Sequence, residues 1–175
     1  VIRTVNVVDT TVPVITLAGE STVTIEAGTT YTDAGATASD NYDGDITSSI
    51  VTATAVDTDV VGVYTVTYNV TDANSNVATE VIRTVNVIDT TLPVITLLGE
   101  DPVNIEAGTT YTDDGATSTD NYDGDLTSSI IVTGTVDTDT LGTYVLSYNV
   151  SDSSSNNATE VIRTVNVIDT TLPVI

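Results

Sequence analysis

The chain contains no cysteine, no histidine and no lysine, and each absence closes off some chemistry. Without cysteine there are neither disulfides nor thiolate metal sites. Without lysine there are no Lys–Asn isopeptide cross-links. Three arginines face 25 acidic residues, giving a net charge of -22 and a pI near 4.1. Binding a phosphate backbone or an anionic membrane surface needs basic groups, so nucleic-acid binding is excluded. No run of 18 apolar residues exists, so nothing predicts a membrane span or membrane insertion. The chain has no initial Met and no visible signal peptide, and it reads as a window on something longer.

What is present is strand-forming. Hydrophobic residues make up 40% of the chain, mostly Val and Ile, with Thr and Tyr besides, enough to fold despite the charge. Val-Ile-Arg-Thr-Val-Asn-Val begins at Val1, Val81 and Val161, so the sequence repeats with period 80. Of the 80 positions in the first two copies 55 are identical, and the whole stretch from Val161 to Ile175 matches Val81 to Ile95. The expected organisation is a last strand of a preceding repeat at 1–9, whole domains at 10–88 and 89–168, and the first strand of a following repeat at 169–175.

Within each copy short alternating segments are separated by Gly, Asp and Asn turns, with no helical period. Strands are expected in the second copy at 94–98, 103–106, 111–119, 129–136, 143–151 and 160–168. In Tyr64-Thr-Val-Thr-Tyr68-Asn-Val70, Tyr and Val share one face and Thr and Asn the other. Six or seven such strands per repeat predict an all-β chain of tandem immunoglobulin-like antiparallel sandwiches. Tyr64 and Tyr144 each follow a Gly-containing turn two residues before a core position, the placement of a tyrosine corner.

Asp89-Thr-Thr-Leu-Pro-Val-Ile-Thr, Glu106-Ala-Gly-Thr-Thr-Tyr-Thr-Asp, Asp120-Asn-Tyr-Asp-Gly-Asp-Leu-Thr and Leu141-Gly-Thr-Tyr-Val-Leu-Ser-Tyr-Asn-Val-Ser-Asp carry a family resemblance. They resemble the bacterial surface immunoglobulin-like repeat, a relative of the hyalin repeat, over both copies end to end. The resemblance implies a secreted β-sandwich of long surface proteins, often adhesins, without a catalytic role. It does not by itself settle a ligand.

Every acidic residue of the first copy recurs one repeat later, although 25 of the 80 positions differ, so their placement argues for positional roles. In a sandwich the strand after the Asp-Thr-Thr linker runs away from it and the next returns. The Asp120–Asp125 loop and the loop holding Asp152 and Asn156 therefore return to the linker pole. Asp89, Asp120, Asp123, Asp125 and Asp152 are expected to converge there, and one repeat earlier Asp9, Asp40, Asp43, Asp45 and Asp72. Asp57, Asp59 and Glu26, at the first domain's opposite pole, are expected to face the second cluster, and Asp59 joins the candidate ligands.

Carboxylates about 4 Å apart repel by roughly 1 kcal/mol in water and about 4 kcal/mol at an effective dielectric of 20. One Arg per repeat (Arg3, Arg83, Arg163) offsets one charge. Hard oxygen donors without His or Cys select Ca²⁺. The loop is no EF-hand: with Gly44 sixth, positions one and twelve are Ser39 and Ile50. The competing reading is a solvated turn in which Asp, Asn and Gly cap the backbone.

The expected role is a stalk or extender repeat of a cell-surface or extracellular adhesin or filament, stiffened by Ca²⁺ at the domain junctions, its partners being neighbouring repeats. Two alternatives stay open. One is a module gripping a sugar or protein through Tyr42 and Tyr122. The other is a self-associating filament in which Val1–Val8 pairs with another molecule's sheet edge. Catalysis is not expected, since there is no His or Cys, no Ser with a base beside it, and no cleft for paired carboxylates. Asn69, Asn149 and Asn157 lie in glycosylation sequons.

Overall fold

Residues of period two have one apolar face each, and pairing into sheets buries that face while satisfying the backbone. The computed structural model describes residues 1–174, in two units, Val1–Asp89 and Thr90–Ile175. The first holds β1 (Val14–Leu17), β2 (Thr22–Glu26), β3 (Ala36–Asp40), β4 (Gly44–Asp45), β5 (Val51–Thr54), β6 (Gly62–Asn69) and β7 (Val81–Ile88). They form a three-stranded sheet, β1-β3-β4, and a four-stranded sheet, β2-β7-β6-β5. The second repeats this plan with β8 (Val94–Leu97), β9 (Val103–Glu106), β10 (Ala116–Asp120), β11 (Gly124–Asp125), β12 (Ile131–Thr133), β13 (Gly142–Asn149) and β14 (Val161–Ile168). The chain is all-β, as its periodicity predicts.

The core of the first unit joins Ile15 and Ala38 of one sheet to Val66, Tyr68, Val70 and Val85 of the other side, with Ala78. Val66, Tyr68 and Val70 are buried while Thr65, Thr67 and Asn69 are not, the alternation read from sequence. Both tyrosine corners form: the Tyr64 hydroxyl donates to the Val60 carbonyl at 2.8 Å and the Tyr144 hydroxyl to the Thr140 carbonyl at 2.9 Å.

Arg83 sits on the inward face of β7 and is only 1% exposed. Its guanidinium pairs with Asp33, donates to the Tyr68 hydroxyl at 2.9 Å and bonds the Ala18 and Gly35 carbonyls. Asp33 also accepts from the hydroxyls of Tyr31 and Tyr68 and from the Gly35 N–H. Burial pushes its carboxyl up, but the bonds from Tyr68, Tyr31 and Arg83 outweigh this and hold it below the usual range. Arg163 and Asp113 repeat the pair in the second unit. A buried charge needs such compensation, so this arginine belongs to the core.

Three segments depart from the strand expectations. The two short strands form separately as expected, but their pairing is not all antiparallel: β1 pairs antiparallel with β3, whereas β2 has crossed to the other sheet and runs parallel to β7. Gly19, at φ +77, lies at the crossing and adopts a conformation costly for other residues. Tyr111–Gly115 forms no ladder; there Tyr111 and Asp113 face the buried arginine instead. Val1–Val8 is not a strand and is exposed, whereas the matching β7 has β6 and β2 on either side to pair with. Ile175, the end of the segment expected to open a following repeat, lies outside the described residues.

Candidate metal centre

The direction of the strands sets the site. β1 leaves the pole where Asp9 lies, β3 returns to end at Asp40, and β6 returns to the loop holding Asp72. Asp40 leads into the β3–β4 turn, closed by Gly44 at φ +75, a conformation the glycine adopts without strain.

Each aspartate is fixed by backbone donors. Asp9 Oδ1 accepts the Thr11 N–H at 3.0 Å. Asp40 Oδ1 accepts the N–H groups of Tyr42 at 2.7 Å and Asp43 at 3.1 Å, which hold its carboxyl below the usual range. Asp43 Oδ2 accepts the Ala73 N–H at 3.0 Å and so ties the β3–β4 turn to the β6–β7 loop. Asp72 Oδ1 accepts from the N–H of Asn74 and Asn76, and its Oδ2 from the Asn76 amide at 2.7 Å.

So anchored, Asp9, Asp40, Asp43 and Asp72 each bring one oxygen within 4.8 Å of the others. Asp40 is 9% exposed, and the Oδ2 atoms of Asp9 and Asp40 are buried without a hydrogen-bond partner. Carboxylates this close repel one another. Arg83 cannot relieve them, because it is buried against Asp33, and Arg3 is exposed on the Val1–Val8 segment.

In the second unit Asp120, Asp123 and Asp152 come together in the same way, each bringing one oxygen within 4.8 Å of the others, while Asp89, at the end of the first unit, is buried. Within the second unit Asp120 Oδ1 again accepts from Tyr122 and Asp123, and Asp123 Oδ2 from the Ser153 N–H at 2.9 Å. Asp152 again accepts from the Asn156 backbone and amide. Three candidate ligands stand outside these groups. Asp45 and Asp125 accept from the Thr47 and Thr127 N–H at 2.9 Å and open short 3₁₀ turns. Asp59 lies in an exposed turn, where its N–H donates to Asp57 at 3.0 Å. Asn76, which orients Asp72, was not among the sequence candidates; its equivalent Asn156 was noted beside Asp152.

The donor set fits a hard cation. Ca²⁺ takes six to eight oxygens at about 2.3–2.6 Å, so two ligands of one ion lie at most about 4.6–5.2 Å apart. The 4.8 Å bound on the group falls inside that limit. Turn chemistry is real here, and it accounts for the Oδ1 atoms of Asp9 and Asp40. It leaves the buried Oδ2 atoms of Asp9 and Asp40 without a hydrogen-bond partner.

A second carboxylate is held in another way. Glu106, at the end of β9, accepts the N–H groups of Thr170 (3.0 Å to Oε1) and Thr171 (3.2 Å), and both hydroxyls at 2.7 Å. The Thr170 and Thr171 hydroxyls, with the Thr170 N–H, bring its carboxyl down to about 2.

A family model described as "Bacterial surface protein, Ig-like domain" matches residues 15–87 and 95–167. An uncharacterized 81.3 kDa protein of Acholeplasma phage L2 is 36% identical over 142 residues, 77% of this chain and 19% of the relative, so the chain spans about a fifth of that protein. Among solved structures, a lipoprotein from Bacteroides thetaiotaomicron is similar with TM-score 0.40 at 15% identity, over 87% of this chain and 98% of that one. The catalytic domain of Clostridium perfringens ZmpB with its CBM51 domains is similar with TM-score 0.46 at 12% identity, over 90% of this chain and 31% of that one.

Proposed function

The chain belongs to the family of bacterial surface protein Ig-like domains, and from that premise we propose that it is a non-catalytic structural extender of a cell-surface or extracellular protein, stiffened by calcium. Each aspartate group takes one Ca²⁺, and the partners of each repeat are its neighbours in the chain. The single observation behind this reading is the buried, unpartnered Oδ2 of Asp40 among three further carboxylates that form no ion pair with an arginine among the described residues. Leaving a buried charged oxygen unpaired costs more than an ordinary hydrogen bond returns, so the group favours a bound cation.

The mechanism is charge neutralisation. Asp9 belongs to the linker, Asp40 and Asp43 to the β3–β4 turn, and Asp72 to the β6–β7 loop. An ion bonded to all four fastens three separate segments of backbone. Without it their like charges favour separation. Small-angle scattering with calcium and with chelator tests the extender role. A larger maximum dimension with a narrower distance distribution in calcium is expected. Identical curves in both conditions contradict it.

A sugar- or protein-binding role draws on Tyr42, which stands 71% exposed beside the group. A glycan array without hits removes its sugar form.

A further inference from the structure

From the second unit we infer that Glu106 is a positioning residue, a metal-independent latch that fixes the turn Asp169–Thr171 after β14. The inference goes beyond the calcium reading above and does not depend on it.

Asp9, Asp89 and Asp169 occupy equivalent positions in the repeat, each followed by Thr-Thr. In the first unit Asp9 is one of the four converging carboxylates, and its Oδ1 accepts the Thr11 N–H at 3.0 Å. In the second unit Asp169 makes the same turn, its Oδ1 accepting the Thr171 N–H at 3.0 Å. The turn forms at both positions, and at Asp169 Glu106 holds the two threonines in addition. The Ala107 N–H, next to Glu106, donates to the Ile168 carbonyl at 2.8 Å and continues the β9–β14 pairing up to the latch.

Glu106 is well suited to this. It is an anion meeting four donors, two backbone N–H groups and two hydroxyls, and hydrogen bonds to a charged acceptor are stronger than neutral ones. A glutamine in its place would turn an N–H₂ toward donors. A valine in place of either threonine would remove one hydroxyl. The Glu-Ala-Gly-Thr-Thr motif, singled out by repetition at Glu26 and Glu106, thereby gains a role that the aspartate groups do not explain.

The test is amide hydrogen exchange by NMR on the full chain and its Glu106→Ala variant, in chelator and in calcium. Exchange at Thr170 and Thr171 is expected to speed up at least tenfold in the variant, with Tyr148 and Val165 unchanged. Wild-type protection at both threonines is expected to be the same in chelator and in calcium. A change under tenfold, or protection that appears only with calcium, overturns the latch. Should Glu106→Ala fail to fold, the double variant Thr170→Val, Thr171→Val keeps Glu106 and must show the same acceleration at both positions. Calcium binding at the Asp9 group is measured separately, so an absent ion and an absent latch give different results.

Discussion

At the scale of single residues the molecule separates its charges into two kinds. Asp33 and Asp113 neutralise buried arginines, whereas Asp40 and Asp72 lie in a group that forms no ion pair with an arginine among the described residues. Asp33→Asn leaves the Arg83 charge buried and uncompensated, and should cost about 3 kcal/mol at pH 7, read by urea denaturation. That is the low end for a buried pair, since the Asp33 side chain is 23% exposed. The pH dependence has a definite sign. The folded-state value of Asp33 is depressed, so its stabilisation is full above the ordinary carboxylate value of about 3.9 and fades as pH falls through the lower folded value. The gap between wild type and Asp33→Asn should therefore close below about pH 4, and a gap that widens there contradicts the assignment. This role was written in the sequence and not read from it. In Val81-Ile-Arg83-Thr-Val85-Asn-Val87 the arginine has the parity of three inward valines, so the strand that predicts a core also places Arg83 in it. Setting one arginine per repeat against the charge of the aspartate clusters passes over that parity.

At the scale of elements, β6 and β7 and their counterparts β13 and β14 were legible because eight alternating residues fix both face and register. The tyrosine corner was legible because a turn, a Tyr and a core position stand at fixed spacing. Tyr64→Phe removes one hydroxyl bond and should lower stability by about 1 kcal/mol. For a domain of this size that is about 4–8 °C in Tm, measured by calorimetry, and no shift would leave the corner without weight. The crossing between β1 and β2 was not legible, since two short runs flanking Ala-Gly-Glu fit one bent strand as well as a change of sheet. Parallel pairing of β2 with β7 is decided by tertiary contacts. Asp45 was grouped with its neighbours for a similar reason: proximity in a loop does not reveal that its carboxylate faces Thr47.

At the scale of the whole chain, the internal repeat gave the architecture and the pole to which the aspartates return, because strand direction alone carries a loop to one end or the other. The chemistry of the groups rests on burial, which no sequence pattern states. A cation that binds only the folded state adds about 2.7 kcal/mol at 100 times its Kd, so calcium should raise Tm and chelator should lower it. Magnesium, which holds its own waters and demands a smaller octahedral shell, should shift Tm less. The most direct test is a calorimetric calcium titration of the chain beside its Asp40→Asn variant, which keeps the turn but discharges the buried carboxylate. Saturable binding to the wild type, with one site fewer or at least tenfold weaker in the variant, is the expected result. Equal binding by both, or no binding by the wild type, would contradict calcium at the aspartate groups.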